Sequence, residues 1–138
     1  RLMNEKGKEV SQNFYWRSND KYEGRKTLTG PATSGFEALS TLKQAKVKAS
    51  IQGYVQEGRE YVKVRVKNTS GVIAFFTQLQ LTDEMGTPVR PAFFTDNFFS
   101  LLPGETREVV VDTKKTDGTQ YRIVVKGWNQ SRQDILVK

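Results

Sequence analysis

The sequence predicts an all-β fold, an immunoglobulin-like antiparallel β-sandwich with one short docking helix, and three observations carry that prediction. From Lys46 onward apolar and polar residues alternate with a period of two, as strands with one buried face do. Gly, Pro and Asn break the alternation at intervals of roughly ten residues, the spacing of a many-stranded sandwich. Finally, 138 residues with 36% hydrophobic and 11% aromatic content suffice for one core without staples, which excludes two large domains.

The elements follow in order. Residues 46–56 form a strand, with Val47, Ala49, Ile51, Gly53 and Val55 on one face and Lys48, Ser50, Gln52 and Tyr54 on the other. Gln56-Glu57-Gly58-Arg59 turns the chain, and residues 61–68 return with Val62, Val64 and Val66 inward and Lys63, Arg65 and Lys67 outward. After Asn68-Thr69-Ser70-Gly71 comes a third strand, Phe75, Thr77, Leu79 and Leu81 facing one way and Gln78, Gln80 and Thr82 the other, closed by Asp83-Glu84-Met85-Gly86. Pro88 and Pro91 have no N–H for a ladder, so Val89 to Thr95 is an edge strand or a bulged connection. Asn97 to Leu102 is a fifth run, ended by a type II turn at Pro103-Gly104. Thr106 to Asp112 and Tyr121 to Trp128 are further strands, the latter alternating Tyr121, Ile123 and Val125 with Arg122, Val124 and Lys126, and Asp134 to Val137 is a last short one.

The first third differs. Val10 to Trp16 reads as a strand paired with Leu2-Met3 through a Glu5-Lys6-Gly7-Lys8 turn, and residues 17–33 are an aperiodic polar linker. Ser34 to Glu37 matches a capping box ahead of Phe36, Leu39 and Leu42, which predicts the helix. The organisation is thus residues 1–16 as a hairpin remnant of a preceding domain, 17–33 as linker and 34–138 as sandwich. The chain opens on Arg1, which reads as a piece of a longer or matured polypeptide.

Chemistry is constrained by what is missing. With no Cys and no His, disulfides, thiolate or imidazole metal sites and Ser-His-Asp chemistry have no residues to use, and no cofactor is expected. No acidic cluster has calcium-loop spacing and no glycine-rich loop precedes a helix. Asp83, Glu84, Glu105 and Asp112 sit at turns or strand ends, where they serve as turn formers, not as a facing pair of glycosidase carboxylates. Asn68-Thr69-Ser70 and Asn129-Gln130-Ser131 fit the glycosylation sequon, which short chance matches also do.

The net charge of +7 raises polyanions as partners. Its distribution argues against nucleic acid. Residues 68–112 hold the Phe cluster yet carry 2 basic and 6 acidic residues, whereas single-strand binders interleave stacking rings with cations. No apolar run is long enough for a membrane helix. The pairs Phe75-Phe76, Phe93-Phe94 and Phe98-Phe99 each put one ring inward and one outward if they lie on strands. Trp16, Phe94, Asp96, Phe98 and Trp128 are therefore the candidate contacts to a neighbouring domain or to sugar, although an Asp at position 96 more often forms an Asx-turn.

The ordered set Asn13-Phe14-Tyr15-Trp16, Phe36-Glu37-Ala38-Leu39, Val66 to Ser70 with Ala74-Phe75-Phe76, Asp96 to Glu105 and Gly127-Trp128-Asn129 resembles the C-terminal region of glycoside hydrolase family 2 enzymes of the β-mannosidase and exo-β-glucosaminidase branch. The run Asp96-Asn97-Phe98-Phe99-Ser100-Leu101-Leu102-Pro103-Gly104-Glu105 is its specific part. The resemblance implies a terminal immunoglobulin-like module of a retaining exo-glycosidase whose two catalytic glutamates stand on a (β/α)₈ barrel absent from this chain. It maps no catalytic residue here. It implies the rest of the same polypeptide as partner and a periplasmic or extracellular location, while the alternative reading, a carbohydrate-binding module holding polysaccharide through Trp16, Phe94 or Phe98, makes oligosaccharide the second candidate partner.

Overall fold

A computed structural model describes residues 2–15, 37–57, 59–113 and 120–137. The chain divides into two units, Arg1–Leu42 and Lys43–Lys138. In the first, β1 (Leu2–Met3) pairs antiparallel with β2 (Glu9–Ser11). Asn4 shapes the turn, its Oδ1 accepting from the N–H groups of Lys6 and Lys8, while Gly7 takes φ 71°. The expected strand Val10 to Trp16 is shorter than predicted and stops at Ser11, because β1 offers only two residues to pair with. The expected helix is, over its described part, a 3-10 turn at Glu37–Thr41, while Ser34 to Phe36 lie outside the described residues. The spacing explains the difference. Phe36, Leu39 and Leu42 recur every three residues, the 3-10 period, and the Leu42 N–H donates to the Leu39 carbonyl.

The second unit is the sandwich. Its strands are β3 (Val47–Gln56), β4 (Arg59–Asn68), β5 (Ala74–Thr82), β6 (Ala92–Phe94), β7 (Phe99–Leu101), β8 (Thr106–Thr113), β9 (Arg122–Gly127) and β10 (Gln130–Leu136). They form two four-stranded antiparallel sheets, ordered β3-β4-β8-β6 and β10-β9-β5-β7. The β3–β4 ladder runs unbroken from Val47 opposite Asn68 to Gln56 opposite Arg59. At Pro103-Gly104 the turn is as expected, with Gly104 at φ 79° and the Glu105 N–H on the Leu102 carbonyl. The Pro-flanked segment supplies β6, an edge strand.

Between the sheets lie Val62, Val64, Val66, Val109 and Val111 from one side and Leu79, Leu81, Phe99, Leu101, Ile123 and Val125 from the other. The period-two reading fails in several places: Thr82, expected on the polar face of β5, is buried, Gly53, expected inward, is exposed, and two valines also depart from it. Val55, expected inward, is 67% exposed, because it lies beside the hairpin tip opposite Glu60 at the open end of the sandwich. Val124, expected among the wet residues, is buried. It sits on an inner strand between register partners Gln80 and Asp134.

Candidate functional site

The most distinctive surface is built where β5 meets β7. Their pairing skips between Ala74 and Thr77, so the chain bulges at Phe76, which takes φ 54°. Phe98, just before β7, takes φ 56°. A bulky side chain rarely adopts this left-handed region, and each such residue costs roughly 1–3 kcal/mol. Both are held by specific bonds. The Phe76 N–H donates to Ser100 Oγ, and the Phe98 N–H donates to Asn97 Oδ1. Asn97 is itself fixed on β5, accepting from the Leu79 N–H at 2.8 Å and donating to the Leu79 carbonyl at 2.9 Å.

The strained residues point outward together. Phe76 is 47% and Phe98 50% exposed, their ring centroids 5.6 Å apart with planes inclined by 47°. Behind Phe76 stands buried Phe75, 5.8 Å away. The result is a wedge of two rings backed by a third, not a flat platform.

Trp128, 60% exposed, occupies the β9–β10 turn and donates its N–H to the Phe75 carbonyl. The turn is anchored by two buried amides. Asn129 donates to the carbonyls of Lys43 and Ile73 and accepts from the Phe75 N–H. Gln130 donates to the Phe75 carbonyl and shares hydrogen bonds with the Thr77 hydroxyl. The Gln130 amide lies against Cα of Gly127, where a Cβ would overlap it, and this accounts for glycine in Gly127-Trp128-Asn129.

The other sequence-predicted residues have different fates. Phe94 faces inward and is partly buried against the core, with Phe93 the outward ring at 65% exposure. Asp96 forms an ion pair with Arg107 at 3.3 Å instead of an Asx-turn, and Arg107 also lies over the Phe99 ring. Trp16 lies outside the described residues. Phe98 and Trp128 are the exposed candidates, and Phe76, not among the predicted contacts, completes the wedge.

Both sequon asparagines are sealed in the interior. Asn68, 0% exposed, donates to the carbonyls of Val72 and Leu101 and accepts from the Ser70 N–H and hydroxyl; Asn129 is 2% exposed. Neither amide nitrogen is open to a glycan. The sequence signal for these staples was an amide beside apolar strand residues, but the carbonyls they reach lie up to 86 residues away. Among the described residues, no three Asp or Glu side chains gather as a metal site would require.

Comparison with known proteins follows the same outline. The model of the exo-β-D-glucosaminidase Ig-fold domain family matches residues 27–130. Exo-β-D-glucosaminidases from Amycolatopsis orientalis and Streptomyces avermitilis are each 32% identical over 97% of this chain, which spans 14% and 16% of their lengths. A mannosylglycoprotein endo-β-mannosidase of Lilium longiflorum is 27% identical over 69% of the chain and 11% of its own length. The structure of the Amycolatopsis orientalis exo-chitosanase CsxA in complex with PNP-β-D-glucosamine superposes with a TM-score of 0.79, at 29% identity over 98% of this chain and 17% of that one. With its two packed sheets and a family match across most of its length, the chain belongs to the exo-β-D-glucosaminidase Ig-fold domain family of the glycoside hydrolases.

Proposed function

We propose that this domain is a non-catalytic accessory module of a retaining exo-glycosidase acting on terminal β-linked glucosamine or related β-glycosides, β-mannosides included, and that it works by packing on sister domains. The observation that carries the reading is the Phe76–Phe98 wedge. Two exposed rings held in left-handed backbone by Ser100 and Asn97 are a costly arrangement for a free surface and a useful one for filling an apolar groove. The chain's small share of its relatives' lengths supports cis partners. Residues 1–16 then complete the preceding domain and 17–33 link the two. The uncovered apolar side chains of Leu2, Met3 and Val10 on a two-stranded hairpin agree with that, since such a hairpin is not stable alone. A periplasmic or extracellular location belongs to the proposal on family resemblance.

The second reading, a carbohydrate-binding module using exposed aromatics, is favoured by Trp128 and opposed by two facts. Rings inclined by 47° form no common flat platform for a run of pyranose units. A glucosamine polymer also carries ammonium groups, which a chain of net charge +7 repels. Titrating the chain with glucosamine and mannose oligosaccharides while following amide shifts separates the readings. An accessory module shows no shifts at Phe76, Phe98 or Trp128, and saturable shifts there establish the second reading in its place.

A further inference from the structure

The outer face of the β3-β4-β8-β6 sheet, remote in kind from the aromatic wedge on the other sheet, is laid out in rows by the strand register. Lys48, Lys67 and Thr106 stand side by side, then Ser50, Arg65 and Glu108, then Gln52, Lys63 and Val110, then Tyr54, Tyr61, Asp112 and Phe93. The acids on this face are already engaged. Glu108 pairs with Lys63 at 3.3 Å, and Asp112 takes Arg59 at 2.9 and 3.1 Å.

That leaves a cationic end. Lys48 and Lys67 are direct cross-strand partners, Arg65 is two residues along β4, all three are exposed, and among the described residues none is paired with a carboxylate. Like charges placed opposite one another on a sheet destabilise it. At the other end, Tyr54 and Tyr61 stack at 5.4 Å with planes 19° apart, Lys63 lies 5.9 Å over the Tyr54 ring, and Phe93 stands across Asp112. Six residues of β4 separate Lys67 from Tyr61, about 20 Å at strand rise. Such a length takes several pyranose units.

We propose that this face binds an acidic polysaccharide, the carboxylates or sulfates meeting Lys48, Arg65 and Lys67 while sugar rings pass along the tyrosine end. The assignment is independent of the packing role proposed for the wedge. The composition selects the ligand class. A dry protein interface is depleted in Lys and has an apolar centre, whereas this face is centred on Ser50, Gln52, Lys63 and Arg65, groups suited to a hydrated, hydroxyl-rich chain. Duplex or single-stranded nucleic acid fits less well. The two tyrosines stack on each other and leave no gap into which a base could slide.

The test is calorimetric titration of the 138-residue chain with polygalacturonate, dextran, chitosan and duplex DNA at low and high salt. Polygalacturonate binds, dextran and chitosan do not, and the affinity falls with salt. A K48Q/R65Q/K67Q variant, whose fold is checked by circular dichroism, loses roughly tenfold in affinity, as three exposed charge contacts allow. A charge-matched K43Q/R90Q/K126Q variant keeps its affinity within about twofold. Equal losses in the two variants would reduce the effect to net charge and overturn the proposal, as would no binding to polygalacturonate, or DNA binding as tightly.

Discussion

The side-chain amide of Asn97 occupies both main-chain hydrogen-bonding groups of Leu79, accepting from its N–H and donating to its carbonyl. β7 pairs with β5 only as far as Thr77, so at Leu79 the side chain acts as the peptide group that the neighbouring strand does not supply. The same oxygen receives the Phe98 N–H, which couples the β10-β9-β5-β7 sheet to the exposed wedge.

Replacing Asn97 with Ala therefore leaves two backbone groups of a buried strand residue without partners. Urea denaturation should register a loss of about 2–4 kcal/mol, at 1–3 kcal/mol per orphaned group with partial relief by water. A change below about 0.5 kcal/mol, the usual range for a surface site, contradicts the role given to this amide.

Gly127 and Gln130 should behave as a unit. Gly127→Ala drives a Cβ into the Gln130 amide, which is pinned by the Phe75 carbonyl and Thr77, so a cost of about 2 kcal/mol or more is expected. Gln130→Ala also destabilises, by removing one of the two donors to the Phe75 carbonyl, which keeps the Trp128 N–H, and the amide partner of the buried Thr77 hydroxyl. In the double variant the clash is gone, and its loss should fall short of the sum of the singles by about 1 kcal/mol or more. Strict additivity in a double-mutant cycle speaks against the steric explanation.

Expressed through a eukaryotic secretory pathway, the folded chain should carry no glycan at Asn68 or Asn129, since both amide nitrogens are consumed inside the fold. Intact-mass spectrometry reads this directly, and a hexose-bearing species at either site contradicts it. Asn129→Ala, which orphans the Phe75 N–H and the carbonyls of Lys43 and Ile73, should cost about 2–4 kcal/mol by thermal unfolding.

The surface ion pair of Arg59 with Asp112 makes a contrasting case. Although it is bidentate at 2.9 and 3.1 Å, the Arg59 side chain is 63% exposed. Asp112→Asn should cost less than about 1 kcal/mol and the difference should shrink in high salt.

Much of the fold was legible because its determinants are local. The alternation through Val62, Val64 and Val66 marks the buried face of β4, and Pro103-Gly104 specifies its own turn. Legibility ended where long-range pairing decides. Val124 is buried on the face that alternation assigns to solvent, on a strand that lies between β5 and β10, and nothing in residues 121–128 encodes that order. Phe76 looked like an ordinary strand residue, but the β5–β7 register slips there and turns it out beside Phe98. Asn97, Asn129 and Gln130 read as polar loop residues because their partners are distant backbone groups, which a one-dimensional pattern does not show.

The packing role rests on the wedge, and its signature is a difference between two contexts. In the isolated chain, Phe76→Asn with Phe98→Asn relieves two left-handed strains while losing two ring contacts of about 0.5–1.5 kcal/mol each, so thermal unfolding should move little. In the full polypeptide the same pair should lower the unfolding temperature of this domain by several degrees, about what a loss of 1–2 kcal/mol produces in a domain of this size. Measuring both by differential scanning calorimetry decides the matter: a fall confined to the full polypeptide is the predicted result, and equal shifts in the two contexts contradict it.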